Sequence, residues 1–177
     1  LAFCPASGEF SVSYSEHRFP IDPREYPRTL EAASNRLRAP AVPAEAVATL
    51  ASLSNAFAHL PTREDTASER CAERNRDKAV HKRRLARLVA EHPAIRRAIG
   101  EAHDTFNSAA AGQAGCEALH DLLERQAYRL SSWRVAADEI NYRRFFDIND
   151  LAALRMENDA AFEATHRFVL GLAAEGK

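Results

Sequence analysis

Apolar positions recur at a helical period over most of this chain and at a strand period only near its start. Phe10, Val12 and Tyr14 alternate with Glu9, Ser11 and Ser13, which predicts a half-buried strand. Pro20, Pro23 and Pro27 predict an extended connection after it. A short helix is expected from about Thr29 to before Pro40, capped by Thr29 or Ser34. Val47, Leu50, Phe57 and Leu60, with Leu53 and Ser54 between them, mark a second helix. Pro43 and Ala44 stand at its first turn and Pro61 at its end. Thr62 or Ser68 opens the next. Pro93 opens another, with Ile95, Ile99, Ala102 and Phe106 as its stripe. The run from Ala109 to Gly115 reads as a turn, followed by a stripe of Cys116, Leu119, Leu122, Leu123 and Leu130. A closing helix spans about Asn158 to Glu175. Phe162, Thr165, Val169 and Leu172 form its expected buried face, with Phe168 beside them. Asp159 suits its first turn and Gly176 its stop. The expected fold is mainly α, an antiparallel helical bundle-like body with a short N-terminal β element.

Charge refines this picture in one place. Residues 63 to 91 hold nine Lys or Arg and six Asp or Glu. Arg70–Glu73, Glu73–Arg76 and Arg74–Asp77 are spaced to meet on a helix surface. No aromatic residue lies between Leu60 and Phe106 to stack a base, so the segment reads as a solvated helix face. The whole chain carries 24 basic and 25 acidic residues, a net charge of −1. No positive field is present to hold nucleic acid or an anionic membrane, and neither is expected as a partner. No apolar run approaches the ~20 residues of a membrane span, and residues 1 to 20 lack a signal pattern. Cys4, Cys71 and Cys116 are few, odd in number and widely spaced. Reduced thiols in a cytoplasmic setting are expected, with no disulfide frame and no zinc site. His103, Asp104, His120 and Asp121 lack metal-ligand spacing and read as helix-surface residues; no metal or cofactor is expected. His17 and Arg18, just after the strand, read as an exposed loop or as a polar contact to a sugar or a neighbouring domain.

The stretch from Trp133 to Arg155 fits neither period throughout. It gathers Trp133, Tyr142, Phe145 and Phe146 among Arg134, Arg143, Arg144 and Arg155. Such rings stack on the apolar C–H faces of sugars, and fixed guanidinium groups bind hydroxyls. The candidate substrate-binding residues are therefore Trp133, Asn141, Tyr142, Arg143, Arg144, Phe145 and Phe146. Asp138, Glu139, Asp147 and Asp150 are interleaved with them. Retaining glycoside chemistry needs two carboxyl groups about 5–5.5 Å apart. The preferred reading of these four is that they hold the adjacent arginines in place.

The run ADEINYRRFFDINDLAALRMEN, continuing through DAAFEATHRFVLGLAAEGK, resembles the maltooligosyl trehalose synthase family of the alpha-amylase clan. GEFSVSYSEHRFP is similar to a second family segment, less closely. Residues 28 to 115 carry no matching motif. The resemblance implies a (β/α)8 barrel, with residues 28–127 as a helical insertion domain between a β/turn entry at 1–27 and a barrel-associated segment at 128–177. A D-x-N turn would precede a helix lying outside the barrel. The chain begins at Leu1 and ends on a helical pattern, so it reads as an internal fragment. The family's nucleophilic Asp would follow Lys177, leaving no catalytic carboxylate here. The implied reaction is an intramolecular transglucosylation that converts the reducing-end α-1,4 linkage of a maltooligosaccharide to α,α-1,1. Cut from a barrel, the closing helix leaves an apolar face without its strands, and self-association or disorder near one terminus is expected. The alternatives are a non-catalytic helical interaction module and a segment of another enzyme of the same clan.

Overall fold

The computed structural model describes residues 1–37, 42–107, 112–135, 144–145 and 148–176, with no side-chain description at 133, 144–145 and 149–152. The chain forms two compact units, Leu1–Leu130 and Ser131–Lys177.

The first unit begins with three antiparallel strands, β1 (Ala2–Cys4), β2 (Glu9–Tyr14) and β3 (His17–Pro20), in the order β1-β2-β3. The alternation in β2 buries Phe10 and Val12, as expected, but Tyr14 is 73% exposed. Tyr14 pairs with His17 across a tight turn in which Ser15 takes a positive φ of 53°. The strand therefore ends where its apolar face would have continued. His17 and Arg18 belong to β3, not to a loop, and Arg18 Nε donates to the buried Ser11 hydroxyl at 2.9 Å.

Two prolines expected to keep the chain extended start helical turns instead. Pro23 opens a short 3-10 turn, Pro23–Glu25, whose start is capped by the Asp22 carboxylate accepting from Arg24 N at 3.0 Å. Pro27 lies in the first turn of α1 (Tyr26–Ser34), where a missing N–H costs nothing. Thr29 is consequently buried inside α1 and caps nothing.

Three further helices follow, and the first and third bury the apolar stripes expected of them. α2 (Ala44–Ala58) buries Leu50, Leu53, Ser54 and Phe57, and Leu60 is buried just past its end. α3 (Ser68–Glu91) starts at Ser68 and buries Leu85, Leu88 and Val89 near its far end. α4 (Pro93–Asn107) buries Ile95, Ile99 and Ala102, together with His103. α5 (Gly112–Glu124) takes in most of the run read as a turn. Gly112 starts it at a φ of 56°, and Gly115 is buried within it. Leu122 carries that helix's burial, while Cys116 and Leu130 are exposed.

Packing runs α1 against α2 and α4, α2 against α3, and α4 against α3, α5 and β1. Through the middle passes a chain of rings: Phe3 to Phe10 at 4.8 Å, Phe10 to Tyr26 at 4.6 Å, and Tyr26 to Phe57 at 4.9 Å. Such ring pairs contribute about 0.5–1.5 kcal/mol each beyond area burial. The Tyr26 hydroxyl accepts from Phe10 N at 3.2 Å, so the ring chain also ties the sheet to the helices. Burial pushes the Tyr26 phenol well above its ordinary pKa.

In the second unit the 3-10 turn Trp133–Val135 precedes β4 (Arg144–Phe145) and β5 (Ile148–Ala152), an antiparallel pair. Ile148 and Asn149 lie in β5, where a turn was expected. α6 (Asp159–Ala174) starts one residue after the expected position, because Asn158 is its cap: Asn158 Oδ1 accepts from Ala160 N and Ala161 N, and Gly176 follows at a φ of 70°, as expected of its stop. Its expected buried face is not buried. Of that face Phe162, Thr165 and Val169 are exposed and Leu172 is half-buried, while Phe168 beside them and Leu170 are exposed as well. Every described strand pair is antiparallel, and the described residues form no barrel.

Candidate functional site

The seven sugar-site residues proposed from the sequence fall in the second unit. Trp133 sits in its 3-10 turn, and Arg144 and Phe145 form β4, known by backbone only. Asn141, Tyr142, Arg143 and Phe146 lie outside the described residues, as do Asp138, Glu139 and Asp147. The structure thus places three of the seven along the chain.

A different site stands out in the first unit. A half-open cleft of about 310 Å³ is bounded by the 3-10 turn, α3, the turn after α2 and the residues that follow α5. Arg74, Lys78 and Lys82 of α3 line it. Successive spacings of four residues put them in one column on the helix face. Like charges at this spacing repel by roughly 0.2–0.5 kcal/mol per pair, so the helix gains nothing from the column itself.

Each cation has a distinct state. Lys82 Nζ pairs with Glu9 Oε1 at 3.0 Å, and that hydrogen bond holds the Glu9 carboxyl below its ordinary pKa. Arg74 Nη1 donates to the carbonyls of Thr62 at 2.5 Å and Asp65 at 3.3 Å, fixing the turn before α3. It makes no pair with Asp77, which binds Arg76 instead at 2.9 Å. Of the three helix-surface pairs expected in this segment, Arg70–Glu73 forms, at 2.5 Å. Among the described residues no carboxylate pairs with Arg74, Lys78 or Arg24.

Arg24 enters from the 3-10 turn, and its Nε is buried with no hydrogen-bond partner. Leaving such a donor unmade costs about 1–3 kcal/mol, more for a charged group. The opposite rim is built rigidly. Gln126 Oε1 accepts from Asp22 N at 2.7 Å, and its Nε2 donates to Leu122 O at 2.7 Å. The Tyr128 hydroxyl donates to Pro20 O at 2.8 Å, and burial raises its pKa. Asp22 is the one carboxylate in the cleft lining among the described residues, and it is already engaged as a cap. Among the described residues the lining thus gathers five cations, Arg24, Arg63, Arg74, Lys78 and Lys82, beside one engaged carboxylate, a balance that favours negative charge, and it contains no acid/base pair for glycoside chemistry.

The cation column was visible as a spacing and was read as solvated surface. Its partner across the cleft, Arg24, is fifty residues away in sequence, and nothing local joins the two. The His103 reading also changes: it is 7% exposed, with Nε2 buried and unpartnered, whereas His120 is exposed as expected. Among the described residues no three His, Cys, Asp or Glu side chains lie together in a metal-binding group. The three cysteines are free thiols. No described helix is long and apolar enough to cross a membrane.

No family model matches the chain, and no solved structure does. Two curated proteins do. Over 59 residues the chain is 48% identical to proteins of two Mycobacterium tuberculosis strains, each named "Putative maltooligosyl trehalose synthase". The matched stretch is 33% of this chain and 7% of the relatives' length. The likeness supports a distant relationship to a trehalose-forming enzyme, carried by a third of the sequence.

Proposed function

We propose that this chain is a segment of a maltooligosyl trehalose synthase of the alpha-amylase clan, and that its second unit borders the sugar site. The 48% identity over 59 residues carries this reading. The enzyme moves the reducing-end glucose of a maltooligosaccharide from an α-1,4 to an α,α-1,1 linkage, in the cytoplasm. Trp133, Tyr142, Phe145 and Phe146 supply stacking faces that keep water from the glycosyl intermediate. Asn141, Arg143 and Arg144 hold hydroxyl groups. The two reacting carboxylates come from elsewhere in the enzyme, and these residues position substrate for them.

In the enzyme that contains this chain, Arg143→Ala and Tyr142→Phe should each lower kcat/KM for trehalose formation about tenfold, roughly 1.4 kcal/mol of transition-state binding. The fraction of product released as free glucose should rise, because a loosened wall admits water. Unchanged kinetics and an unchanged product ratio in both variants would remove these residues from the site.

The exposed apolar residues of α6 belong to the same proposal. Phe168 is 76% exposed and Val169 61%, beside Phe162 and Leu170 on one helix. In this reading the barrel covers them, and the isolated chain covers them by self-association. Light scattering should show a mass that rises with concentration, and Phe168→Asp should reduce it. A concentration-independent monomer would count against the assignment of α6.

A further inference from the structure

We propose that the cleft between α3 and the 3-10 turn binds a phosphate dianion, either free or as the monoester of a small alcohol. It lies wholly in the first unit and uses none of the residues assigned to sugar.

The argument begins with charge that the protein leaves uncompensated. Arg24, Arg74 and Lys78 line one cleft and have no carboxylate partner among the described residues. The neighbouring Lys82 shows that a carboxylate partner is available in this fold when one is wanted, since Glu9 reaches it from β2. Arg24 adds a buried, unpartnered Nε to the wall. A planar guanidinium with free N–H groups matches a phosphate edge, and a lysine adds a point charge beside it. A phosphate monoester carries about −1.5 to −2 at neutral pH, so it complements these cations better than a single carboxylate does.

Size and lining choose among phosphates. The volume of about 310 Å³ stands at the small end of ligand sites. It accommodates a triose or hexose phosphate. Tyr128 is the one aromatic residue in the lining among the described residues, and its hydroxyl is tied to Pro20 O. A polynucleotide needs a longer cationic track with several stacking faces, which this recess lacks. Leu60, Pro61 and Pro20 provide a short apolar wall against which a small carbon skeleton can lie.

Isothermal titration of the chain at low salt, with inorganic phosphate, glucose 6-phosphate and glucose, tests this. Saturable one-site binding of either phosphate is expected, with none for glucose. Tighter binding of the ester would identify an organic phosphate as ligand, and equal binding would identify free phosphate. Arg24→Gln and Lys78→Gln should each weaken binding about tenfold, and Lys78→Arg should restore most of it. Lys78 makes no ion pair that its loss would break, so that variant should melt like the parent. Three results would overturn the proposal: no saturation up to about 10 mM phosphate, equal binding of glucose, or unchanged affinity in both Gln variants. Tighter binding of a single-stranded oligonucleotide than of either phosphate, at ~0.15 M salt, would overturn it as well.

Discussion

Gly8→Ala should destabilise the first unit by about 4 kcal/mol, the largest loss expected of any single methyl group in the described chain. Two costs combine. Gly8 holds a φ of +68°, which an L side chain enters only with strain of about 1–3 kcal/mol. An added Cβ would also clash with the Lys82 carbonyl oxygen, with the Lys82 carbonyl carbon at 3.0 Å and Ala86 N at 3.2 Å. These are backbone atoms of α3, so no side-chain rotation relieves them, and overpacking adds about 1–3 kcal/mol. The position is fixed from its own side too, because Gly8 N donates to Cys4 O at 2.9 Å to close the turn between β1 and β2. Denaturant unfolding of parent and variant measures the loss. Gly8→Asn separates the two costs, since Asn tolerates positive φ but still carries the Cβ. It should recover only a small part of the stability. A loss below about 1 kcal/mol for Gly8→Ala would mean that the strands do not press on α3 in this way.

This close approach bears on the cleft. Lys82 is the residue whose carbonyl touches Gly8 and whose ammonium binds Glu9 on the adjoining strand. Glycine at position 8 lets the sheet lie against the same turn of helix from which the cation column extends. A side chain there would move Lys82, and with it one end of the column. Phosphate affinity in a folded Gly8 variant is thereby expected to fall along with stability, although no residue lining the cleft has been substituted.

The helices were legible because burial in them follows a single period. Leu50, Leu53 and Phe57, or Ile95, Ile99 and Ala102, face one direction, and one hydrophobic face is all that a helix against a core requires. Termini were legible where the chemistry is local, as with Asp159 in the first turn of α6 and Gly176 after its end. Proline was misread because it is compatible with both an extended chain and a first helical turn, and only the residues after Pro23 and Pro27 decide between them. α6 shows the opposite failure. Its apolar stripe has the right period, yet a period states which residues could be buried together and not what buries them. The cation cleft failed for a related reason. Spacing of 74, 78 and 82 announces a shared face, but a charged face becomes a recess only when Arg24 and Tyr128 are brought opposite it by contacts remote in sequence. The aromatic–Arg segment is a case apart: its chemistry was read from residue types, and four of its seven candidates lie outside the described residues.

His103 sets the second large expectation, a stability that falls by about 3 kcal/mol as pH drops from about 6.5 to about 4. The imidazole packs edge-on to Phe10 at 5.4 Å, with Nε2 buried and unpartnered. Burial, followed by the positive N-terminus of Leu1, pushes its pKa down from 6.5 to about 4, against a smaller opposing effect of Asp104. The sign follows from which state takes up the proton. Above about pH 6.5 the ring is neutral both folded and unfolded, and this contribution is fully retained. Between about 6.5 and 4 the unfolded chain binds a proton that the folded chain does not, so acidification favours unfolding. Below about 4 both states are protonated and the loss levels off. His81 shifts in the same direction by burial and adds to the slope. Carboxylates lowered by their partners, such as Glu9 beside Lys82, contribute mainly below this window. Urea unfolding from pH 4 to 7.5 should show the fall, and His103→Leu should remove most of it while keeping the site apolar. The proton resonance of the His103 ring should titrate near pH 4 in the native chain. If the Leu variant keeps the parent's slope, or if the ring titrates near 6.5, the imidazole is not held dry by the sheet, and the packing of Phe10 over α4 would have to be redrawn.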